Sequence, residues 1–205
     1  MPGLVYSRRG YGRSGPLSRP LTPDFLHLAA TVELDQLLRD NDIDEAILVG
    51  HSDGASIAII YAGQTQAMTT NVAAVIAIAP HLFVEPICID AIQVLVNKVH
   101  ENPERLAPLA THHHNIHALF QQWSSVWLST EFHGLSLLAE AAAIRCPVLA
   151  IQGEHDQYGT LEQVRQLASV TADGRHFVMT DCRHSPHLEA ADCLLSICTD
   201  FIRHP

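Results

Sequence analysis

The 205-residue sequence is poor in cations. Lys and Arg total 12 against 22 Asp and Glu, a formal net charge of −10 with histidine neutral. Nucleic-acid-binding chains carry a basic stripe, and the nearest thing here, Arg8, Arg9 and Arg13, is too small to make one. Long apolar runs are missing as well. None approaches the ~18–20 residues that span a bilayer, and the opening Met-Pro-Gly-Leu-Val-Tyr lacks the charged and apolar regions of a signal peptide. Cysteines are few and odd in number: Cys88, Cys146, Cys182, Cys193 and Cys198, at no metal-ligand spacing. The simplest reading is free thiols in a reducing cytoplasm. There is no internal repeat and no low-complexity segment. What is present, 47% hydrophobic and 17% charged residues, is the composition of a globular chain long enough to bury a sizeable core.

Short β-branched runs alternate with helical stretches, the pattern of an α/β fold with a mostly parallel sheet flanked by helices. Leu4–Ser7 reads as the end of a strand, and a glycine-rich loop follows from Arg8 to Gly15. Thr22-Pro23-Asp24 reads as a helix start, with Thr as N-cap and Pro at the first position. Phe25, Leu28, Ala29, Val32 and Leu37 carry the apolar stripe to about Asp40. Ala46–Val49 and Val72–Ala79 read as buried strands, with a helix from Gly54 to about Gly63 between them. Composition shifts at Glu85-Pro86, and the pattern is helical as far as Arg145. Strands return at Pro147–Ile151 and His176–Met179, and a helix is expected from Pro186 to Phe201. The expected core is therefore residues 1–84 and 146–205, interrupted by a helical insertion over 85–145.

Two glycine motifs compete for attention. Gly10-Tyr-Gly12-Arg-Ser-Gly15 fits G-x-G-x-x-G, but a dinucleotide site needs a helix opening there. Pro16 and Arg19-Pro20 follow instead, so a turn-rich loop is expected and no cofactor is implied. Gly50-His51-Ser52-Asp53-Gly54 fits G-x-S-x-G. Chance produces that pattern in about one chain in fifteen of this size. Its context is more specific: an apolar strand precedes it and an apolar helix follows, as a nucleophile elbow requires. A serine hydroxyl needs a base, and the base an orienting acid, in the chain order Ser, acid, His. Asp156 lies just past the strand Pro147–Ile151, with Glu154 and His155 as competitors. His184 lies in the loop after the last strand and is preferred to His187, which follows Pro186 into the first helical turn.

The stretches Arg8-Arg-Gly-Tyr-Gly-Arg-Ser14, Gly50-His-Ser-Asp-Gly54, Gly153-Glu-His-Asp156 and Cys182-Arg-His-Ser-Pro-His-Leu-Glu189 together resemble the α/β-hydrolase superfamily. The Ser-Asp-Gly elbow and the Trp123 to Trp127 segment are most similar to its valacyclovir-hydrolase-like and pimeloyl-ACP methyl ester esterase-type capped serine hydrolases. The resemblance implies Ser52 as nucleophile, Asp156 as acid and His184 as base, with the 85–145 insertion as a helical cap. It implies a small-molecule ester as substrate. His51 and Asp53 fall in the oxyanion and substrate region. In the valacyclovir-hydrolase-like enzymes an acidic residue after the nucleophile binds an α-amino group, and Asp53 holds that position. A carboxylate there is also favoured by the helix dipole alone, so both readings of Asp53 stand. Phe120, Trp123, Trp127 and Leu128 share one helical face, which either packs the cap or lines an acyl pocket. His112-His-His114 with His117 do not share a face and lack a completing Cys or carboxylate, so no metal is implied.

The sequence departs from the family at its beginning. Family members have three strands ahead of the one entering the Arg-Arg-Gly-Tyr-Gly loop, so the fold is expected to be N-terminally truncated. The Leu4–Ser7 strand then has no neighbour beside Ala46–Val49, and the sheet must close up or recruit another chain, as in a homo-oligomer. The second oxyanion donor, from the loop after the family's third strand, is also expected to be missing. The expected chemistry is ester hydrolysis through an acyl-enzyme. Its rivals are carbon–carbon hydrolysis on the same three residues and a catalytically impaired, ligand-binding relative.

Overall fold

Apolar runs flanked by turn residues pair into a sheet in this computed structural model, which describes residues 2–17, 19–64 and 68–204. Strand β1 (Glu45–His51) pairs in parallel with β2 (Asn71–Ile78), β2 with β3 (Val148–Gly153), and β3 with β4 (Gly174–Met179), so strand order follows chain order. Ahead of the sheet, a helical stretch runs as α1 (Phe25–Leu28), a π-helical segment (Ala29–Leu34) and α2 (Asp35–Asp40). Helix α3 (Asp53–Gly63) connects β1 to β2. Between β2 and β3 the chain is helical, as expected, with α4 (Pro86–Glu101), α5 (Ala107–Ala110), α6 (Ile116–Trp127) and α7 (Leu138–Ala143). Helix α8 (Glu162–Val170) joins β3 to β4, and α9 (Pro186–Glu189) and α10 (Ala191–Arg203) close the chain.

Strand side chains alternate between two faces. Leu48, Val75, Ala77, Val148 and Ala150 pack with α1, α2, α3 and α8 in the larger core, while Ala74, Ile76, Ile78, Leu149 and Ile151 meet Leu194 and Phe201 of α10. β2 and β3 are buried on both faces, which explains their unbroken apolar sequence. The inserted helices are tied to the core by Gln163, fully buried on α8. It accepts from the Leu82 N–H (2.8 Å) and donates to the Phe83 carbonyl (3.0 Å). Glu85, just before α4, accepts from the Gln163 amide (2.7 Å) and the Thr160 N–H (2.9 Å).

Two expectations are corrected. Leu4–Ser7 is not in a strand: it has no ladder partner, and Val5 is 96% exposed. An extended segment without a neighbouring strand leaves its backbone groups to water. The first helix starts at Phe25, not at Pro23, because the Phe25 N–H bonds the Thr22 carbonyl (2.9 Å) in a turn and Asp24 becomes the capping position. The glycine-rich loop is turns throughout, closed by Gly10 N–H to Gly15 O (2.8 Å), with Gly10 and Gly12 at φ of 84° and 57°. All five cysteines are free thiols. No helix among the described residues is long and apolar enough to cross a membrane.

Candidate active site

The strand-to-helix turn between β1 and α3 is strained. Ser52 sits at φ 55°, ψ −121°, a conformation that costs on the order of 1–3 kcal/mol for a residue with a side chain. The two flanking glycines do different work. A Cβ at Gly50 would lie 2.1 Å from the Gly54 carbonyl oxygen, whereas one at Gly54 would meet nothing within 4 Å. Only the first is required by packing. Gly50→Ala should destabilise the fold by roughly 1–3 kcal/mol, as overpacking does. Gly54→Ala should leave stability unchanged or raise it by up to about 1 kcal/mol, because alanine is the better helix former. Thermal melts of the two variants check this pair.

Three side chains from separate loops meet at this turn. His184 Nε2 lies 3.0 Å from Ser52 Oγ, and His184 Nδ1 lies 2.9 Å from each oxygen of Asp156. A carboxylate only accepts, so the imidazole proton sits on Nδ1 and Nε2 is left to accept from the serine. Asp156 is fixed further by the Tyr158 N–H (2.8 Å) and the Gln152 amide (3.2 Å). Burial alone would raise its carboxyl pKa. The hydrogen bond and charge of His184 and the Tyr158 N–H outweigh that and hold it below the usual range.

The His184 loop is clamped from three sides. A Cβ at Gly153 would fall 2.1 Å from the Arg183 carbonyl oxygen, so glycine there lets the loop approach β3. Glu189 accepts from the Arg183 N–H (2.9 Å) and the Ser185 N–H (3.1 Å), and the chain bends between α9 and α10 directly after it. The His51 ring donates from Nε2 to the His184 carbonyl at 2.7 Å. His51 therefore faces the histidine loop and stands between His184 and His187, with ring centroids 4.9 and 4.7 Å away. Of the competitors, Glu154 and His155 are exposed, and the His155 ring lies 3.9 Å from Asp181.

Asp53, the first residue of α3, is buried and paired with Arg8, Nη2 to Oδ2 at 3.4 Å. Burial pushes its carboxyl pKa up, against the pull of Arg8 and of the neighbouring Trp123 and Trp127 indoles. Its backbone N–H, at a helix start, has no acceptor within the helix. The aromatic stripe on α6 divides. Trp127 is buried against Phe132 and His81, with ring centroids 4.8 Å from each, Trp123 is half-buried beside it, and Phe120 packs into a separate cluster with Leu119. The Trp127 Nε1 is buried without a partner.

His81 was not singled out by sequence reasoning. It lies just past β2 with its ring 5.9 Å from that of His184, and its Nδ1 is buried without a partner. A polar residue directly after the all-apolar run ending at Ala79-Pro80 was the available signal. Burial lowers its pKa to about 3, and burial lowers that of His51 to about 4. Both rings are thus neutral in the folded chain near neutral pH and gain a proton near the ordinary imidazole pKa of 6.5 when unfolded. Below pH 6.5 the unfolded state binds more protons, so stability falls with pH, through about 4 for His51 and about 3 for His81. Each contributes at most about 1.4 kcal/mol per pH unit. Urea melts between pH 7 and 4.5 should show this loss, and His51→Gln, which keeps an N–H donor, should flatten it.

The chain matches the Alpha/beta hydrolase family over residues 2–194 and belongs to it. Among similar solved structures is the enol-lactonase from Burkholderia xenovorans LB400, 21% identical, with 96% of this chain and 78% of that chain covered at a TM-score of 0.70. Another is an E-2-(acetamidomethylene)succinate hydrolase, 20% identical, covering 95% and 79% at 0.68. A third is the esterase EaEST from Exiguobacterium antarcticum, 17% identical, covering 95% and 79% at 0.69. At these identities the likeness is one of fold. A search of curated proteins by sequence finds no match.

Proposed function

We propose that the protein is a serine hydrolase that cleaves a small carboxylic ester through an acyl-enzyme. The observation that carries this is the 3.0 Å contact between Ser52 Oγ and His184 Nε2 at a strained elbow, with Asp156 2.9 Å behind the imidazole. In this reading His184 takes the serine proton as Oγ attacks the ester carbonyl, and the Asp53 N–H faces the developing oxyanion. The imidazolium, stabilised by Asp156, protonates the departing alcohol. Water, activated by the same imidazole, then releases the acid and frees the serine. His51, Gln152 and Glu189 position the acid and base, and the helical 85–145 segment serves as the cap, with Trp123 and Trp127 toward the Asp53 side of the pocket. Because the Asp53 carboxylate is taken up by Arg8, amine recognition is not part of this reading. The presence of an esterase among the solved structures that share the fold supports the choice of reaction.

Mixing the protein with p-nitrophenyl butyrate should release a burst of nitrophenol approaching one per chain, then a slow steady rate. A steady rate with no burst, equal in Ser52→Ala, contradicts the proposal. Turnover of a ring-cleavage diketone with none of the ester would move the same residues to carbon–carbon hydrolysis.

A further inference from the structure

About one turn along α3 from the nucleophile, Ser56 clamps the backbone of His81. Its hydroxyl donates to the His81 carbonyl (2.8 Å) and accepts from the His81 N–H (3.3 Å). The chain reaches His81 through a strained step. Ala79 leaves β2 at φ 47° with its N–H on the Ile151 carbonyl (2.7 Å), and Pro80 follows. A side-chain-bearing residue in that region of φ is costly and recurs at functional sites. The imidazole so placed is buried, its centroid 5.9 Å from that of the His184 ring and 4.8 Å from that of Trp127. Its Nδ1 has no partner among the described residues, and neither has the Nε1 of the equally buried Trp127. Buried polar atoms are normally paired, and an unpaired one weakens the fold. Here two stand unpaired in neighbouring rings, and neither takes part in proton transfer between Ser52, His184 and Asp156.

We infer that His81 and Trp127 are specificity-determining residues that recognise a hydroxyl group of the substrate, a few bonds from the ester group at Ser52; the inference rests on the esterase reading. His81 stands on the His184 side of the nucleophile, and the Trp127 indole neighbours Asp53, the residue after it. The chemistry of the two atoms selects the group. An indole N–H only donates, so its partner must hold a lone pair. The imidazole, kept neutral by burial, has one donor and one acceptor nitrogen, and no neighbour fixes which role Nδ1 takes. A hydroxyl accepts from the indole and either gives to or takes from Nδ1. A keto oxygen only accepts. An ammonium only donates and leaves the indole unpaired. An anion is set against the Asp53 carboxylate. The pair therefore favours hydroxyl-bearing esters over plain alkanoate esters.

The test compares ethyl butyrate with ethyl 2- and 3-hydroxybutyrate, which carry the hydroxyl on the acyl side, and with 2-hydroxyethyl butyrate, which carries it on the alcohol side. Ethyl 3-oxobutyrate is the keto control, and hydroxide-ion hydrolysis of each ester corrects for intrinsic reactivity. One hydroxy ester should exceed ethyl butyrate in corrected kcat/KM by about 10-fold, as a buried hydrogen bond gives. His81→Phe keeps a ring against Trp127 and removes both nitrogens. It should bring that ratio to about 1, through KM rather than kcat, as the loss of uniform binding does. Its melting temperature should not fall, because an unpartnered polar atom has gone; His81→Leu is read in its place where the phenylalanine variant does not fold. A corrected ratio near unity in the wild type, the result of a resident water that satisfies both atoms, overturns the inference. So does a preference that His81→Phe leaves intact, or an equal preference for the keto ester. Calorimetric binding of the same esters to Ser52→Ala separates this reading from the reaction. A hydroxy-ester preference there, with no hydrolysis by the wild type, would remove the reaction and keep the recognition. Hydrolysis without any preference would do the reverse.

Discussion

Ser52→Ala should reduce ester hydrolysis to the background rate, a loss on the order of 10⁴–10⁶. The substitution removes one oxygen, 3.0 Å from His184 Nε2, and keeps the Cβ that already tolerates φ of 55°. The imidazole is still held by Asp156 and its loop by His51 and Glu189. The fold should survive, with the melting temperature within about 2 °C, roughly 0.5–1 kcal/mol for a domain of this size. Steady-state kinetics on p-nitrophenyl butyrate beside a thermal melt separate loss of the nucleophile from loss of the structure. Retention of a tenth of the wild-type rate would mean that another group attacks the ester.

Asp156→Asn carries the second large effect. The carboxylate accepts from the imidazole Nδ1–H, the Tyr158 N–H and the Gln152 amide. An asparagine that keeps its carbonyl toward the Tyr158 N–H turns its NH₂ toward His184. With that NH₂ 2.9 Å from Nδ1, the tautomer that accepts at Nδ1 and carries its proton on Nε2 is favoured, and it can no longer take a proton from Ser52. A change of this kind costs about 10⁴ in turnover with geometry otherwise preserved. The expected result is a loss of that order in kcat with KM changed little. A loss below tenfold would show that Asp156 neither orients nor stabilises the imidazole.

The parts of the fold most legible in the sequence are those whose environment is uniform. β2 and β3 are buried on both faces, and their apolar runs located them within a residue or two. The elbow was legible because its close packing against the Gly54 carbonyl needs glycine at position 50, and Asp156 and His184 because they fall in loops directly after strands. The illegible parts depend on partners far along the chain. The Arg8–Asp53 pair joins residues 45 apart, and nothing local to either announces it. The apolar stretch at Leu4–Ser7 looked like a strand, but strand formation is a property of a pair. The expected single helix from Pro186 to Phe201 bends after Glu189 although neither glycine nor a second proline intervenes. The carboxylate of Glu189 is recruited to the 183–185 backbone instead. α8, with Gln163 on its buried side, passed without notice because its stripe is short.

The most direct test of the account is reaction with a fluorophosphonate, which labels a serine only when its oxygen is activated by a neighbouring base. The account predicts a single adduct by intact mass, mapped to the peptide carrying Ser52, absent in Ser52→Ala and strongly slowed in His184→Ala. A folded, unlabelled wild-type protein, or an adduct elsewhere in the chain, would contradict it.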